Sequence, residues 1–317
     1  MRKCILLALA LSAMGADQKL PRTPDGHPDL QGIWTNVTLT PMERVADFKA
    51  LEVSEAEAAA YEKKEKARTI DGDVNSTLLQ QAGSAGTGAY NDLFIDRGQQ
   101  YIRLNGKVRT SLVADPPDGK IPPMTAAARD RQATLAAGRG GMGRFDSVKD
   151  RPTSERCLIG FGSTSGPPML PVLYNNNYQI VQTADTVMIL VEMVHDVRII
   201  RMNAQHAPPD VRQWLGDSVG HWDGDTLVVD TTNFSPMVRF RGSSENLHVI
   251  ERFTRADANT IVYKATIDDP TTFSKTWSVE YPFIATDGPI YEYACHEGNY
   301  AMPDILGGAR KAETGKK

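Results

Sequence analysis

Three short stretches hold the side chains best suited to proton transfer. The first is 192–198, Glu-Met-Val-His-Asp-Val-Arg. On an unbroken strand His195 shares a face with Val191, Met193, Val197 and Ile199, which turns it inward. Glu192, Asp196 and Arg198 then share the opposite face. An imidazole in an apolar hollow titrates near working pH and suits a general acid or base. The plainer alternative is a core histidine hydrogen-bonded to backbone. The second stretch, 217–225, carries Asp217, His221, Asp223 and Asp225. Aspartates around a tight turn suggest a calcium loop, but the spacing and bidentate glutamate of an EF-hand are missing. Turn chemistry accounts for Asp223-Gly224-Asp225, and His221 stays a candidate. The third stretch, 291–300, sets His296 beside Glu297. On a strand these two point to opposite faces; a bend after Cys295 would bring both to one rim.

The expected catalytic set is therefore His195 as base or acid, His296 as its partner and Glu297 orienting one imidazole. Arg156 or Arg198 would hold an anionic or enolate-like oxygen. Tyr174, Asn176 and Tyr178, from a Tyr-Asn-Asn-Asn-Tyr run, would line a polar ligand rim with His221 and Tyr293. Asparagines at a strand-entry turn, however, need no ligand to explain them. His195, His221 and His296 with Glu297 or Asp196 supply enough donors for a metal, yet their scatter lacks any ligand spacing. No metal or other cofactor is expected. His206, beside Pro208-Pro209, is expected in a loop away from the other imidazoles. There is no Gly-x-Ser-x-Gly elbow, phosphate loop, His-Glu-x-x-His or Cys-x-x-Cys.

The elements that must position these groups belong to a chain of 317 residues with formal net charge −4 and 41% hydrophobic residues. That composition excludes general disorder and coiled-coil or collagen-like chains. Its mild acidity argues against nucleic acid as a partner, since phosphate binding needs a basic stripe. Arg2 and Lys3 precede an apolar run at 4–14, and Ala13-Met14-Gly15 offers small residues for cleavage. This is the pattern of a secretory signal peptide. The run is shorter than the roughly 20 residues a bilayer needs, and no later stretch suits a membrane helix. The reading is a signal peptide at 1–15 and a single periplasmic or secreted domain at 16–317, not inserted in a membrane after cleavage. Cys4 leaves with the signal. Cys157 and Cys295 remain and are expected to pair in an oxidising compartment; a reactive thiol or metal ligand is the alternative.

Within the domain, 16–152 reads as an N-terminal wrap with a first strand, two helices and Pro-rich loops. Ser54 and Glu57 form a capping box that opens a helix to about residue 68, with Glu62 and Lys66 paired on a solvated face. A flexible loop is read at 83–88, a strand at 109–113, and a second helix at 125–137. From 153 to 310 the texture is an antiparallel β core. Strands are expected at 177–183, 187–193, 197–202, 217–222, 226–232, 247–254, 260–267, 277–284 and 290–296, separated by turn residues. Such a series predicts a mainly β fold: a calycin- or lipocalin-like barrel, or a sandwich, of about eight or more strands. The early Gly32-x-Trp34 strand would close or plug one end.

The stretches RTSLVADPPDGKIPP, SERCLIGFG, YNNNYQIVQT, EMVHDVRII, GDSVGHWDGDTLVVDTTNF, ENLHVIERFTR and YEYACHEGNY resemble those of a large family of secreted bacterial proteins. The resemblance spans nearly the whole mature chain. It implies export and one domain, and it carries no activity or catalytic assignment. Three functions are compatible with the residues. One is a small organic molecule bound in a barrel mouth and processed by acid–base chemistry of lyase, isomerase or hydrolase type. The second is a non-catalytic small-ligand carrier, and the third a metal-dependent enzyme with His/carboxylate ligands.

Overall fold

The computed structural model describes residues 20–64, 96, 98–137, 145–160, 166–172, 174–238 and 240–315. The expected signal peptide, the Lys66 partner of Glu62 and the 83–88 loop lie outside them. In chain order the short early strands are β1 (Gly32–Thr35), β2 (Glu52–Val53), β3 (Arg103–Leu104), β4 (Lys107–Arg109) and β5 (Val113–Asp115). The longer ones are β6 (Asn177–Gln182), β7 (Thr186–Val191), β8 (Val197–Met202), β9 (Asp217–Asp223), β10 (Thr226–Thr232), β11 (His248–Asp257), β12 (Thr260–Asp268) and β13 (Trp277–Ala285). Helix α1 is described over 55–64, α2 is Ala126–Ala137 and α3 is Ala301–Thr314.

A mainly β, calycin-like barrel results. Strand β1 pairs with β6 on one side and β13 on the other, which closes a wall of nine strands, and β5 adds outside β13. The Gly-x-Trp strand is thus the closing stave itself, with Trp34 only 1% exposed. Period-2 alternation fills the interior: β11 buries Val249, Glu251 and Phe253, while β12 buries Ile261, Tyr263, Ala265 and Ile267. Tyr263 packs 5.1 Å from Phe253 and 5.0 Å from Phe283, and Tyr178 stacks on Phe283 at 5.2 Å. Full burial of each large side chain stabilises by about 1.5–3 kcal/mol. The capping box forms as read, with the Glu57 N–H donating to Ser54 Oγ and the Ser54 N–H donating to Glu57 Oε2.

Several expectations are corrected. The barrel is not wholly antiparallel: β8 and β9 run parallel over Ile200–Met202, joined by a crossover at 203–216. Parallel neighbours cannot be joined by a tight turn. Gly220 lets them approach, because a Cβ there would stand 2.8 Å from Ile200 Cγ2 and 2.9 Å from Met202 Sδ. No strand forms at 290–296; the chain is irregular there and then enters α3. The 109–113 strand is split, Arg109 lying in the small β2–β4–β3 sheet and Val113 on the barrel. Glu62 is not on a solvated face. It is 9% exposed and accepts the Tyr101 N–H at 2.7 Å and Arg103 Nη1 at 2.8 Å.

The barrel interior also holds charge. Arg198 and Glu251 pair at 2.6 Å with side chains 1% and 0% exposed. Tyr263 donates to Glu251 Oε1 at 2.8 Å and accepts the Met169 N–H at 3.0 Å. The Met169 carbonyl accepts from Tyr281 and, at 2.8 Å, from Asn36 Nδ2. Burial pushes the Tyr178, Tyr263 and Tyr281 hydroxyls up and keeps them neutral; Tyr263 and Tyr281 donate, and Tyr178 accepts from Asn36 Nδ2 at 3.3 Å. Met169 thereby seats one end of the barrel. At the other end Arg22 grips Asp225 at 2.6 and 2.9 Å, His27 stacks on Trp222 at 4.6 Å, and Gln182 holds the Leu30 N–H at 3.0 Å.

Truncating one member of a buried ion pair leaves the other uncompensated and costs about 3–5 kcal/mol, whereas replacing both with apolar groups restores much of it. Urea unfolding of Glu251→Leu should show that loss, and Arg198→Met with Glu251→Leu should recover most of it. A single variant as stable as the double would mean the pair is not what the interior is built around.

Candidate functional site

The turn between β7 and β8 decides where the predicted residues go. Val194 and His195 take positive φ of 63° and 54°, and the Val191 N–H closes on the Asp196 carbonyl at 2.8 Å. This break resets the strand: Val197 and Ile199 are 46% and 51% exposed, and Arg198 points inside. The expected faces are therefore reversed, because the Leu190–Val197 ladder pair, not continuous alternation from Val191, sets the register of β8. His195 is half-buried and accepts the Tyr293 N–H at 2.9 Å on Nδ1. Glu192, 2% exposed, accepts the Tyr291 N–H at 3.1 Å and the Asn177 N–H at 3.2 Å. Two side chains thus replace the ladder that a strand at 290–296 would have made.

The disulfide forms between Cys157 and Cys295, with Cα atoms 5.8 Å apart. It brings the 154–157 segment to the 291–300 strap, and Asn299 Nδ2 donates to Cys157 Sγ at 3.4 Å. Tyr293 lies beside Tyr174, and burial first, then that neighbour, raises its hydroxyl. His195, Tyr174, Tyr293 and the disulfide therefore gather at one end of the barrel. His296 and Glu297 are exposed on the strap, and the ring of His195 is taken by the Tyr293 N–H instead. Arg156 follows the same turn, its Nη1 buried without a hydrogen-bond partner among the described residues. Asn176 is spent on the Val172 N–H and carbonyl at 2.8 and 2.9 Å, Tyr178 belongs to the aromatic core, and His221 is exposed on the outer wall.

A cleft opens elsewhere, in the side of the barrel. Strand β8 pairs with β7 from Val197 onward but with β9 only from Ile200. The chain entering β9 is drawn away toward the end of β10, where the Gln213 N–H donates to the Asn233 carbonyl at 3.0 Å and Gly216 turns with φ +73°. The gap between Val197–Ile199 and 212–217 is a solvent-open cleft of about 550 Å³, a size found among small-molecule sites. Val197, Ile199 and Trp214 give it apolar and aromatic surface; Asp196, Arg198, Arg201, Arg212 and Asp217 give it charge. Arg198 answers Glu251, and Arg201 answers Asp217 at 2.8 Å. Arg212 spends Nη1 on the carbonyls of Phe234 and Glu245 at 3.1 and 2.9 Å and has no carboxylate partner among the described residues.

Behind the crossover wall runs a chain of titratable groups. His206 sets Nδ1 3.1 Å from Asp217 and Nε2 3.0 Å from Asp230, and His248 Nε2 lies 2.9 Å from the other Asp230 oxygen. His206 is in a loop as expected, but it is not away from the other imidazoles. Burial works to raise Asp217, and the Ala207 N–H, His206 and Arg201 outweigh it. Asp230 is lowered in the same way, against burial, by His248 and His206. His248 is raised by its bond to Asp230. Among the described residues no group of three or more His, Cys, Asp or Glu has metal-holding geometry.

No protein-family model, no curated protein and no solved structure matches the chain. The fold and site define a closed mixed β-barrel with a lateral cleft beside the parallel β8–β9 seam.

The strap hangs on Glu192, His195 and the disulfide. Cys157→Ser with Cys295→Ser opens a loop of 138 residues, a loss of up to about 5 kcal/mol in the chain-entropy account. Limited proteolysis with mass mapping should show new cuts at 286–300. An uncut strap would show that Glu192 and His195 hold it alone.

Proposed function

We propose that the protein binds a small anionic organic molecule with an apolar or aromatic body, seated in the lateral cleft between β8 and β9. The observation that carries this is Arg212: a guanidinium with no carboxylate partner among the described residues, on the wall of a cleft that also presents Trp214, Val197 and Ile199 beside the charged Asp196, Arg198, Arg201 and Asp217. Guanidinium pairs geometrically with carboxylate or phosphate, and apolar lining with a few placed polar groups is the usual composition of a ligand site. None of the residues lining the cleft is a histidine. That favours a carrier over acid–base catalysis, since His195 already uses its ring to accept the Tyr293 N–H. The disulfide supports export, as such bridges persist in oxidising compartments, and no described helix is long and apolar enough to cross a membrane.

Benzoate and its neutral counterpart benzamide separate charge from shape. Calorimetric titration should show benzoate binding more tightly. Ile199 is 51% exposed on the cleft rim, so its replacement leaves the core alone. Ile199→Glu should weaken benzoate about tenfold, equivalent to about 1.4 kcal/mol, and Ile199→Lys should not weaken it. Equal binding of acid and amide, or indifference to the charge at 199, would overturn the assignment.

A further inference from the structure

The crossover at 203–216 builds one whole wall of the cleft, contributing Arg212, Gln213, Trp214, Leu215 and Gly216. At its first residue the Asn203 N–H donates to the Gly220 carbonyl at 2.7 Å, and a second set of bonds follows at 206–207. His206 reaches Asp217 on β9 and Asp230 on β10, and the Ala207 N–H donates to Asp217 Oδ2 at 2.8 Å. Asn233 Nδ2 adds a bond to the Ala207 carbonyl at 2.9 Å.

His206 stands between two carboxylate oxygens. Both contacts are hydrogen bonds only when both ring nitrogens carry hydrogens; a neutral ring has one donor and must turn a lone pair toward the other carboxylate. The charged groups facing this point are Arg201 from β8, Asp217 from β9, Asp230 from β10 and His248 from β11. Asp268 on β12 is opposite His248 in the ladder and adds negative charge to it. The surroundings of His206 thus hold two carboxylates in direct contact, with Arg201 and His248 each answering one of them.

We propose that His206 is a proton-operated latch beside the cleft: protonated, it clamps the start of the crossover to both β9 and β10, and deprotonated it releases one of the two, loosening the arm at 206–211 that leads into the wall. The wall itself keeps its own ties through Gln213 to Asn233 and Arg212 to the Phe234 and Glu245 carbonyls. The coupling to ligand rests on the cleft assignment above; the latch itself does not. The sign follows from the groups involved. Asp217 and Asp230 lie below their ordinary 3.8, so they stay charged until the solution is more acidic than that. His248 lies above its ordinary 6.5, so its bond to Asp230 is at full strength below 6.5 and fades as pH rises through its higher folded value. The clamp is tightest in mild acid and slackens toward alkaline pH.

Hydrogen exchange tests the latch without ligand. In the full chain, amides at 206–211, corrected for intrinsic exchange, should be about tenfold better protected at pH 5.5 than at pH 8. The difference should vanish in His206→Gln and in Asp230→Asn, neither of which can form the doubly charged clamp. Equal protection at both pH values in the parent, or an unchanged pH response in His206→Gln, would overturn the latch. Benzoate titrations at the same two pH values test the coupling: affinity should follow protection in the parent and not in His206→Gln. Protection that follows pH while affinity does not would leave the latch standing and sever it from the cleft. Failure of benzoate to bind at either pH would strike the cleft assignment alone.

Discussion

A guanidinium and a carboxylate sealed inside a β-barrel set the terms for much of what surrounds them. Removing two charges from water costs several kcal/mol per ion even after relaxation, and their attraction repays this only with good geometry and extra hydrogen bonds. Glu251 therefore draws Tyr263 as well as Arg198, and Tyr263 in turn fixes the Met169 backbone that seats one end of the barrel. Ser218 and Thr231 add hydroxyls to the same interior, 2.9 Å apart. Arg198 can reach Glu251 only because the β7–β8 turn resets the register of β8. The same turn leaves Val197 and Ile199 outside, on the rim of the cleft.

The cleft is the complement of that arrangement. A wholly antiparallel meander would have zipped β8 to its next neighbour along its full length. The parallel seam between β8 and β9 holds for three residues, helped by the absent side chain at Gly220, and the remainder of the β8 edge is left to face the crossover. One topological choice thus supplies a gap, its apolar rim and a separate segment to wall it.

Much of the barrel was legible from alternation and turns. The strands from 177 to 285 stand within three residues of their expected bounds, and the Ser54–Glu57 cap, the second helix and the Cys157–Cys295 bridge stand where they were read. What escaped was set at long range. Val-Arg-Ile-Ile-Arg-Met at 197–202 is apolar on both faces, so alternation alone does not say that Arg198 is inside; the ladder with β7 does. Glu251 sits in phase with Val249 and Phe253, but arginine and glutamate are so seldom buried that neither reads as interior without its partner. The strap at 291–300 has strand-like residues, yet side-chain acceptors on Glu192 and His195 take the amides a ladder would have used. Of the expected site, His195, Tyr174 and Tyr293 meet, while His296, Glu297 and His221 lie outside that meeting. Arg212 and His206 carried no local sign at all, because their significance comes from a crossover whose path depends on the parallel seam.

The closing stave has a consequence for how the molecule comes into being. Trp34 lies opposite Ala285, near the two ends of the barrel-forming sequence. During synthesis β1 can pair with β6 partway through, but its other edge waits for β13, and until that strand emerges this edge and the last-made strand are raw edges able to pair with strangers. Sequence-distant closure of this kind slows folding. The newborn polypeptide therefore spends an extended interval open, when chaperones have their best access to it.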